Sequence, residues 1–212
     1  MPPHLDELMY WIGLSAVAMM AAAGVLEAGR KRFDLFGMII VALAAALGGG
    51  SVRDLLLDRP VFWVVDQTYL IGALSAACTT FFLARFVVLP TRFFLIPDAA
   101  GLALFTITGT NAAIAWGAPW LVASFMGVVT GVMGGILRDV LCNEEPLVFK
   151  GTLYATAAWT GALILLGLMA LDMAGWIAAL AAGAVIFLLR LIAIRWEIGL
   201  PRFTAKGSRD RP

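Results

Sequence analysis

Residues 48–57 read GGGSVRDLLL and residues 133–142 read MGGILRDVLC, so the pattern Gly49-Gly50-x-x-Arg53-Asp54 returns as Gly134-Gly135-x-x-Arg138-Asp139 at an offset of 85 residues. Self-similarity at a fixed period marks a repeated structural unit and has to be recognised before any site is interpreted. The same offset carries Gly24 and Ala28 onto Gly109 and Ala113, while Pro60 answers Pro146 with one residue of slippage. Residues 8–89 and 97–171 are thereby predicted to be two copies of one unit.

The surroundings of the motif set its solvent. The chain has 212 residues, 62% hydrophobic and 14% charged, with a mean hydropathy of +0.94; an ordinary soluble domain is about 45 to 50% apolar and roughly 25% charged. Seven apolar stretches are long enough for a hydrocarbon core of about 30 Å, at about 8–28, 34–57, 68–89, 97–115, 120–142, 151–171 and 174–195. They lack the alternation of a membrane β-barrel, so helices are expected. A unit with an odd number of spans reverses the orientation of its copy. The predicted fold is an all-α membrane protein with seven transmembrane helices, arranged as two inverted three-helix repeats plus a seventh helix, in a single domain over 1–212. Asp6 and Glu7 ahead of the first span argue for a retained helix rather than a signal peptide.

Positively charged loops stay cytoplasmic. One side collects Arg30, Lys31, Arg32, Arg85, Arg92, Lys150, Arg190, Arg195 and the basic residues of the tail 201–212, twelve in all, while the other has only Arg59. A cytoplasmic C-terminus and an outward N-terminus are expected, in a bacterial inner membrane.

From Asp34 to Leu47 there are 14 residues, which as a helix cover about 21 Å, too little to cross. The span is therefore expected to run on through the glycines, with Leu55 to Leu57 completing it and Arg53 and Asp54 inside the membrane. Arg138 and Asp139 are expected at equivalent depth from the other side. Charges there cost about 2.5 to 3.5 kcal/mol each and mark function. Because residues i and i+1 of a helix do not face each other, the pairing predicted is across the repeats, Arg53 with Asp139 and Arg138 with Asp54.

Two roles are open to Gly48, Gly49, Gly50, Gly134 and Gly135. They can unwind or kink the helices and free carbonyls to replace a cation's hydration shell. Alternatively, with the stripe Gly127, Gly131 and Gly135 and its partners Ala42, Ala46 and Gly50, they can let the second and fifth spans pack closely. Thr106, Thr108, Thr110 and Asn111 put polar groups into the fourth span, for back-bonding to their own helix or for pore lining. Glu27 is expected to pair with Arg30 or Lys31, and His4 to be a terminal surface residue. Trp11, Trp63, Trp116, Trp120, Trp176 and Trp196 fall near span ends, where aromatic belts belong.

Several classes are disfavoured. Cys78 and Cys142 stand alone in apolar surroundings and are read as inert thiols, with no metal site. No phosphate-binding loop, Ser-His-Asp, Cys-His or HExxH arrangement is present, so no enzymatic activity is expected. The net charge of +1 gives no sign of a nucleic-acid partner.

With the doubled motif, the segment PDAAGLALFTITGTNAA (Pro97 to Ala113) and the three-plus-three-plus-one layout in place, the chain resembles the prokaryotic trimeric intracellular cation (TRIC) channels, from about Leu8 to Arg195. The resemblance implies a homotrimer in which each subunit has its own pore, permeable to monovalent cations and mainly to potassium, around the kinked second and fifth helices. It places Gly48, Gly49, Gly50, Arg53 and Asp54 on one and Gly134, Gly135, Arg138 and Asp139 on the other, the charges shaping or gating the path. No cofactor is implied beyond permeant potassium, and membrane lipids are the expected surroundings, with room for a bound lipid. Met133 stands where the first motif has Gly48, so the fifth helix is expected to kink less. The Lys-Glu-Val signature of animal members, with its phosphoinositide lipid, is missing, and gating of that kind is not expected. The same family also carries the label of a glycine transporter, which keeps a secondary transporter of a small solute open beside the channel, and a packing or lipid-binding protein without flux as a third class.

Overall fold

The computed structural model describes residues 3–86, 90, 92–150 and 152–201, with side chains from Glu7 onward. The expectations for the His4 side chain and for the tail beyond Pro201 fall outside what is described.

The protein is an all-helical membrane protein. Its helices are α1 (Pro3–Arg30), α2 (Leu35–Leu56), α3 (Phe62–Val65), α4 (Thr68–Ala84), α5 (Leu95–Ala115), α6 (Trp120–Leu141), α7 (Ala155–Ala170) and α8 (Gly175–Trp196), with a 3-10 turn at Leu147–Phe149. α1, α2, α6 and α8 are each long and apolar enough to cross a membrane. Thr152 and Gly199 form an isolated antiparallel bridge. The short helix α3 was not expected, because four residues are too few to leave a periodic signal.

Two apolar cores organise the bundle. One gathers Val17, Met20, Val25, Leu47 and Phe105, chiefly from α1, α2 and α4. The other gathers Leu102, Ile107, Val132, Leu165 and Ile186 from α5 to α8. α2 and α6 join them by crossing in antiparallel sense: a Cβ at Gly49 would strike the Thr130 carbonyl, and one at Gly134 would strike the Ala45 carbonyl. Only glycine lets two backbones approach so closely.

Helical structure runs unbroken through Gly48–Gly50 and Gly134–Gly135. The expected unwinding does not occur, and no carbonyls are freed there, because close van der Waals packing at the crossing requires a regular helix on both sides. The wider stripe is also placed differently from expectation. Gly127 and Gly131 face Thr110, Thr106 and Leu102 of α5, Ala42 faces Gly24 of α1, and Gly50 faces Phe62. The stripe thus seats α6 on α5 and α2 on α1, and the crossing itself rests on Gly49, Gly134 and Ala45.

Both cysteines are free thiols. Trp11, Trp116, Trp120, Trp176 and Trp196 are exposed near helix ends, as an aromatic belt requires.

Two arginine–aspartate centres at opposite ends of the bundle

Each motif forms the last turn of its helix, and each helix ends in the same way. After Leu56 the chain passes through Asp58 in a left-handed conformation (φ 50°), and after Leu141 through Asn143 (φ 52°). Asp and Asn tolerate this conformation better than other non-glycine residues. The Arg59 N–H then returns to the Asp54 carbonyl at 2.9 Å, and the Glu144 N–H to the Asp139 carbonyl at 2.8 Å. This six-to-one closure satisfies carbonyls that a helix end would leave bare.

The two carboxylates anchor the chain beyond each helix end. Asp54 Oδ1 accepts from Arg53 Nε at 2.8 Å, and Oδ2 accepts from the Phe62 N–H at 2.9 Å. Asp139 Oδ1 accepts from Arg138 Nε at 2.8 Å, and Oδ2 from the Leu147 N–H at 2.8 Å. Each aspartate ties its own arginine to the start of the next short turn.

The predicted pairing across the repeats is therefore overturned. Gly49 lies opposite Thr130 and Gly134 opposite Ala45, a register that sets Arg53 level with Met126, 13 residues from Asp139; at 1.5 Å per residue that is about 20 Å. The arginine stem is long enough to curl onto the neighbouring carboxylate where the helix stops, which the rule against i,i+1 contacts overlooks. α2 has 22 residues, about 33 Å, and ends three residues after Arg53. The two centres stand at opposite ends of the antiparallel pair.

They differ in their further partners. At the second, Arg138 Nη1 donates to Asp98 Oδ1 at 2.5 Å, and the Tyr154 hydroxyl donates to the same oxygen at 3.2 Å. The Arg190 guanidinium lies 4.5 Å from the centroid of the Tyr154 ring and donates to the Leu153 carbonyl. Arg138 and Asp98 are both 0% exposed. At the first, Arg59 brings its Nε to 3.3 Å from Asp54 Oδ1, without completing a hydrogen bond. Arg53 lies over the Phe62 ring and Arg59 over the Trp116 ring.

A cavity opens at each end. The first, ≈ 280 Å³, is lined by Arg53, Arg59, Phe62, Tyr69, Thr108 and Asn111 among others, with Gly13 and Gly50 in its wall. The second, ≈ 620 Å³, is lined by Arg30, Arg92, Phe94, Glu144, Lys150 and Arg190 among others. The α2–α6 crossing stands between them.

Of the residues singled out in the sequence, Arg53, Gly50, Thr108 and Asn111 meet at the first cavity. Gly48, Gly49, Gly134 and Gly135 are interhelical instead. Thr106 donates to the Leu102 carbonyl at 2.7 Å and packs toward Gly131, away from either cavity. Asn111 back-bonds to the Ile107 carbonyl at 3.0 Å while lining the cavity. Sequence reasoning missed Asp98, Tyr154 and the pairing of Arg59. Asp98 carried a signal, an acidic residue within an apolar span. Arg190, expected among the loop charges, is instead buried in α8.

Glu27 pairs with Arg30 at 2.7 Å, as expected, and Lys31 pairs instead with Glu144 at 2.7 Å, clasping the α1–α2 turn to the end of α6. The hydrogen bond from Lys31 holds the Glu144 carboxyl below its ordinary value of 4.5. A carboxyl lowered on folding stabilises the fold above its unfolded pKa, and that contribution is lost as pH falls through the folded value. The clasp is a half-buried surface pair worth about 1 kcal/mol. Glu144→Gln is expected to lower the thermal midpoint slightly at pH 7 and to flatten its decline below about pH 4.5; parallel pH profiles for variant and wild type would contradict this.

Among known protein families, one model matches this chain twice over. The family model described as glycine transporter matches residues 10–85 and 95–170, two segments that begin 85 residues apart (95 less 10). The inner membrane protein YadS of Escherichia coli K12 is 40% identical over 199 residues, covering 92% of this chain and 96% of the relative. A membrane protein of Vibrio cholerae is 39% identical over 202 residues, covering 93% and 83%. Among solved structures, the TRIC trimeric intracellular cation channel orthologue from Rhodobacter sphaeroides superposes with a TM-score of 0.86 at 36% identity, covering 90% of this chain and 99% of that one. A prokaryotic TRIC channel in 0.5 M KCl superposes with a TM-score of 0.84 at 25% identity, covering 92% and 100%.

Proposed function

We propose that this chain, which belongs to the TRIC family, the family whose sequence model is described as glycine transporter, is a monovalent cation channel permeable to potassium. The observation that carries this is the superposition on a trimeric intracellular cation channel over nine tenths of the chain, together with an arginine–aspartate centre and a cavity at each end of the α2–α6 pair. Seven spans, the second three inverted relative to the first, fit both the antiparallel crossing and the two family matches. An outward N-terminus and a cytoplasmic C-terminus fit the distribution of Lys and Arg. A homotrimer in the bacterial inner membrane fits the relatives' descriptions, and a pore within each subunit fits the two cavities that one chain encloses.

The path enters at the first cavity, past Arg53, Thr108 and Asn111, and leaves at the second. Gly49 and Gly134 close it where the backbones touch, so conduction requires α2 and α6 to part there. Arg53 and Arg138 set the electrostatic profile at the two mouths, each neutralised in part by the aspartate beside it. Lipid fits the second cavity's basic rim as an accessory ligand.

A secondary transporter of a small solute such as glycine is favoured by one observation, the confined volume of the first cavity, near the lower limit of small-molecule sites. Planar-bilayer recording of purified protein under a potassium gradient separates the two. Unitary current steps that reverse near the potassium potential are expected. Electrical silence together with saturable glycine counterflow in vesicles would sink the channel and favour the transporter.

A further inference from the structure

The offset of 85 residues pairs not only the motifs but the walls around them. Tyr69 is the counterpart of Tyr154, Phe62 of Leu147 and Asp58 of Asn143, and at these positions the two halves agree in role. At one position they do not: Asp98 of the second half has Gly13 as its counterpart. The second-half arginine is thus held by two carboxylates, Asp139 and Asp98. The first-half arginine has only Asp54, and it shares that carboxylate with Arg59.

Asp54 has little left to give. Its Oδ1 faces Arg53 Nε, Arg53 Nη2 at 2.7 Å and Arg59 Nε at 3.3 Å, and its Oδ2 is taken by the Phe62 N–H. Arg59 Nε is buried and without a hydrogen bond. Arg53 and Arg59 are the only charged residues that line the ≈ 280 Å³ cavity among the described residues, and Gly13 and Tyr69 form the wall beside them. Arg59 is half-buried, its Nη1 donates to the Ala112 carbonyl at 3.5 Å, and its one charged partner is the carboxylate that Arg53 already occupies; guanidinium groups recognise planar carboxylates through paired N–H donors.

We propose that this cavity binds a small carboxylate anion, which takes beside Arg53, Arg59 and Tyr69 the place that the Asp98 side chain holds beside Arg138 and Tyr154. Asp98 shows the coordination in covalent form: one carboxylate oxygen receives an arginine Nη and a tyrosine hydroxyl together. With an anion bound, two arginines face two negative charges at the first centre, as Arg138 and Arg190 face Asp98 and Asp139 at the second. The two buried arginine centres then have matching complements of charge. The binding itself depends on neither flux reading, so its test uses no flux.

The probe is acetate, compared with chloride at equal ionic strength, with the thermal midpoint of the detergent-purified protein as readout. Ligand that binds only the folded state raises the midpoint as concentration passes the dissociation constant. Acetate is expected to raise the wild-type midpoint saturably above its value in chloride. Arg59→Gln is expected to weaken the apparent affinity about tenfold or more, the scale of one charge-assisted contact, and Tyr69→Phe to weaken it less. Gly13→Asp supplies the carboxylate from within and is expected to abolish the response. A Cβ at Gly13 would lie 3.3 Å from the Tyr69 hydroxyl, so the ring must yield slightly. Should that variant not fold, saturation transfer from protein to the acetate methyl protons decides instead: present in wild type and lost in Arg59→Gln. Equal midpoints in acetate and chloride, or an undiminished acetate response in Gly13→Asp, would overturn the proposal.

Discussion

Arg138→Leu is expected to lower the stability of the folded protein by about 3 to 5 kcal/mol, the cost of stripping the partner from a buried charge. The substitution leaves Asp98 and Asp139, both buried, facing one another without a cation between them. Arg53→Leu removes the equivalent side chain but should cost distinctly less. Asp54 keeps Arg59 at 3.3 Å and the Phe62 N–H at 2.9 Å, and its arginine borders a cavity rather than a packed core. Denaturation midpoints of the two variants in the same detergent measure the difference. Equal losses would show that the second carboxylate at Arg138 contributes nothing.

The second large effect sits at the helix crossing. Alanine at Gly49 or Gly134 would drive its methyl group into a backbone carbonyl of the opposing helix, and a carbonyl within a helix cannot move aside without moving the helix. Overpacking of this kind costs about 1 to 3 kcal/mol. Gly48→Ala meets only the end of the Leu137 side chain, and Gly167→Ala meets nothing within 4 Å. Gly48→Ala should be tolerated, and Gly167→Ala should be neutral or stabilising by up to about 1 kcal/mol through helix propensity. The contrast within the triplet is the sharper test: residues 48 and 49 are adjacent and chemically identical, so a similar loss at both would refute the crossing geometry. If conduction requires the helices to part here, Gly49→Ala would also alter open probability in bilayer recordings where the folded fraction permits them.

How much of this could be read in advance differs with the physics involved. The all-helical class and the approximate bounds of the long helices follow from apolar length, because a hydrocarbon core of fixed thickness admits few alternatives. The duplication follows from two motifs with one spacing, and its offset reappears in the family matches. Pairing did not follow. The pattern places Arg53 and Asp54 on a helix but says nothing of where that helix stops, and it is the stop, with Asp58 in a left-handed conformation, that lets neighbours meet. The glycines were ambiguous for a related reason: a run of three lowers helix propensity and also permits close approach, and only the position of Thr130 and Ala45 on opposite helices decides between them. Asp98 was legible as a charge in an apolar span, yet its partner lies 40 residues away on another helix, a distance that composition cannot supply.

The Arg190 contact bears on how the protein is made. The first centre draws its charged residues from positions 53 to 59, its tyrosine from 69 and its remaining cover from Thr108, Asn111 and Trp116, so it is complete once α5 has emerged. The second draws on Asp98, Arg138, Asp139 and Tyr154, and is closed over by Arg190 of α8. During vectorial synthesis the half that is finished first therefore matures early, while the other waits, with buried carboxylates and a tyrosine short of their cover, until the last helix arrives. A helix without a counterpart in the duplication thus acts as the latch of biogenesis, and a chain stopped before α8 should be recognised and degraded rather than accumulate as a smaller bundle.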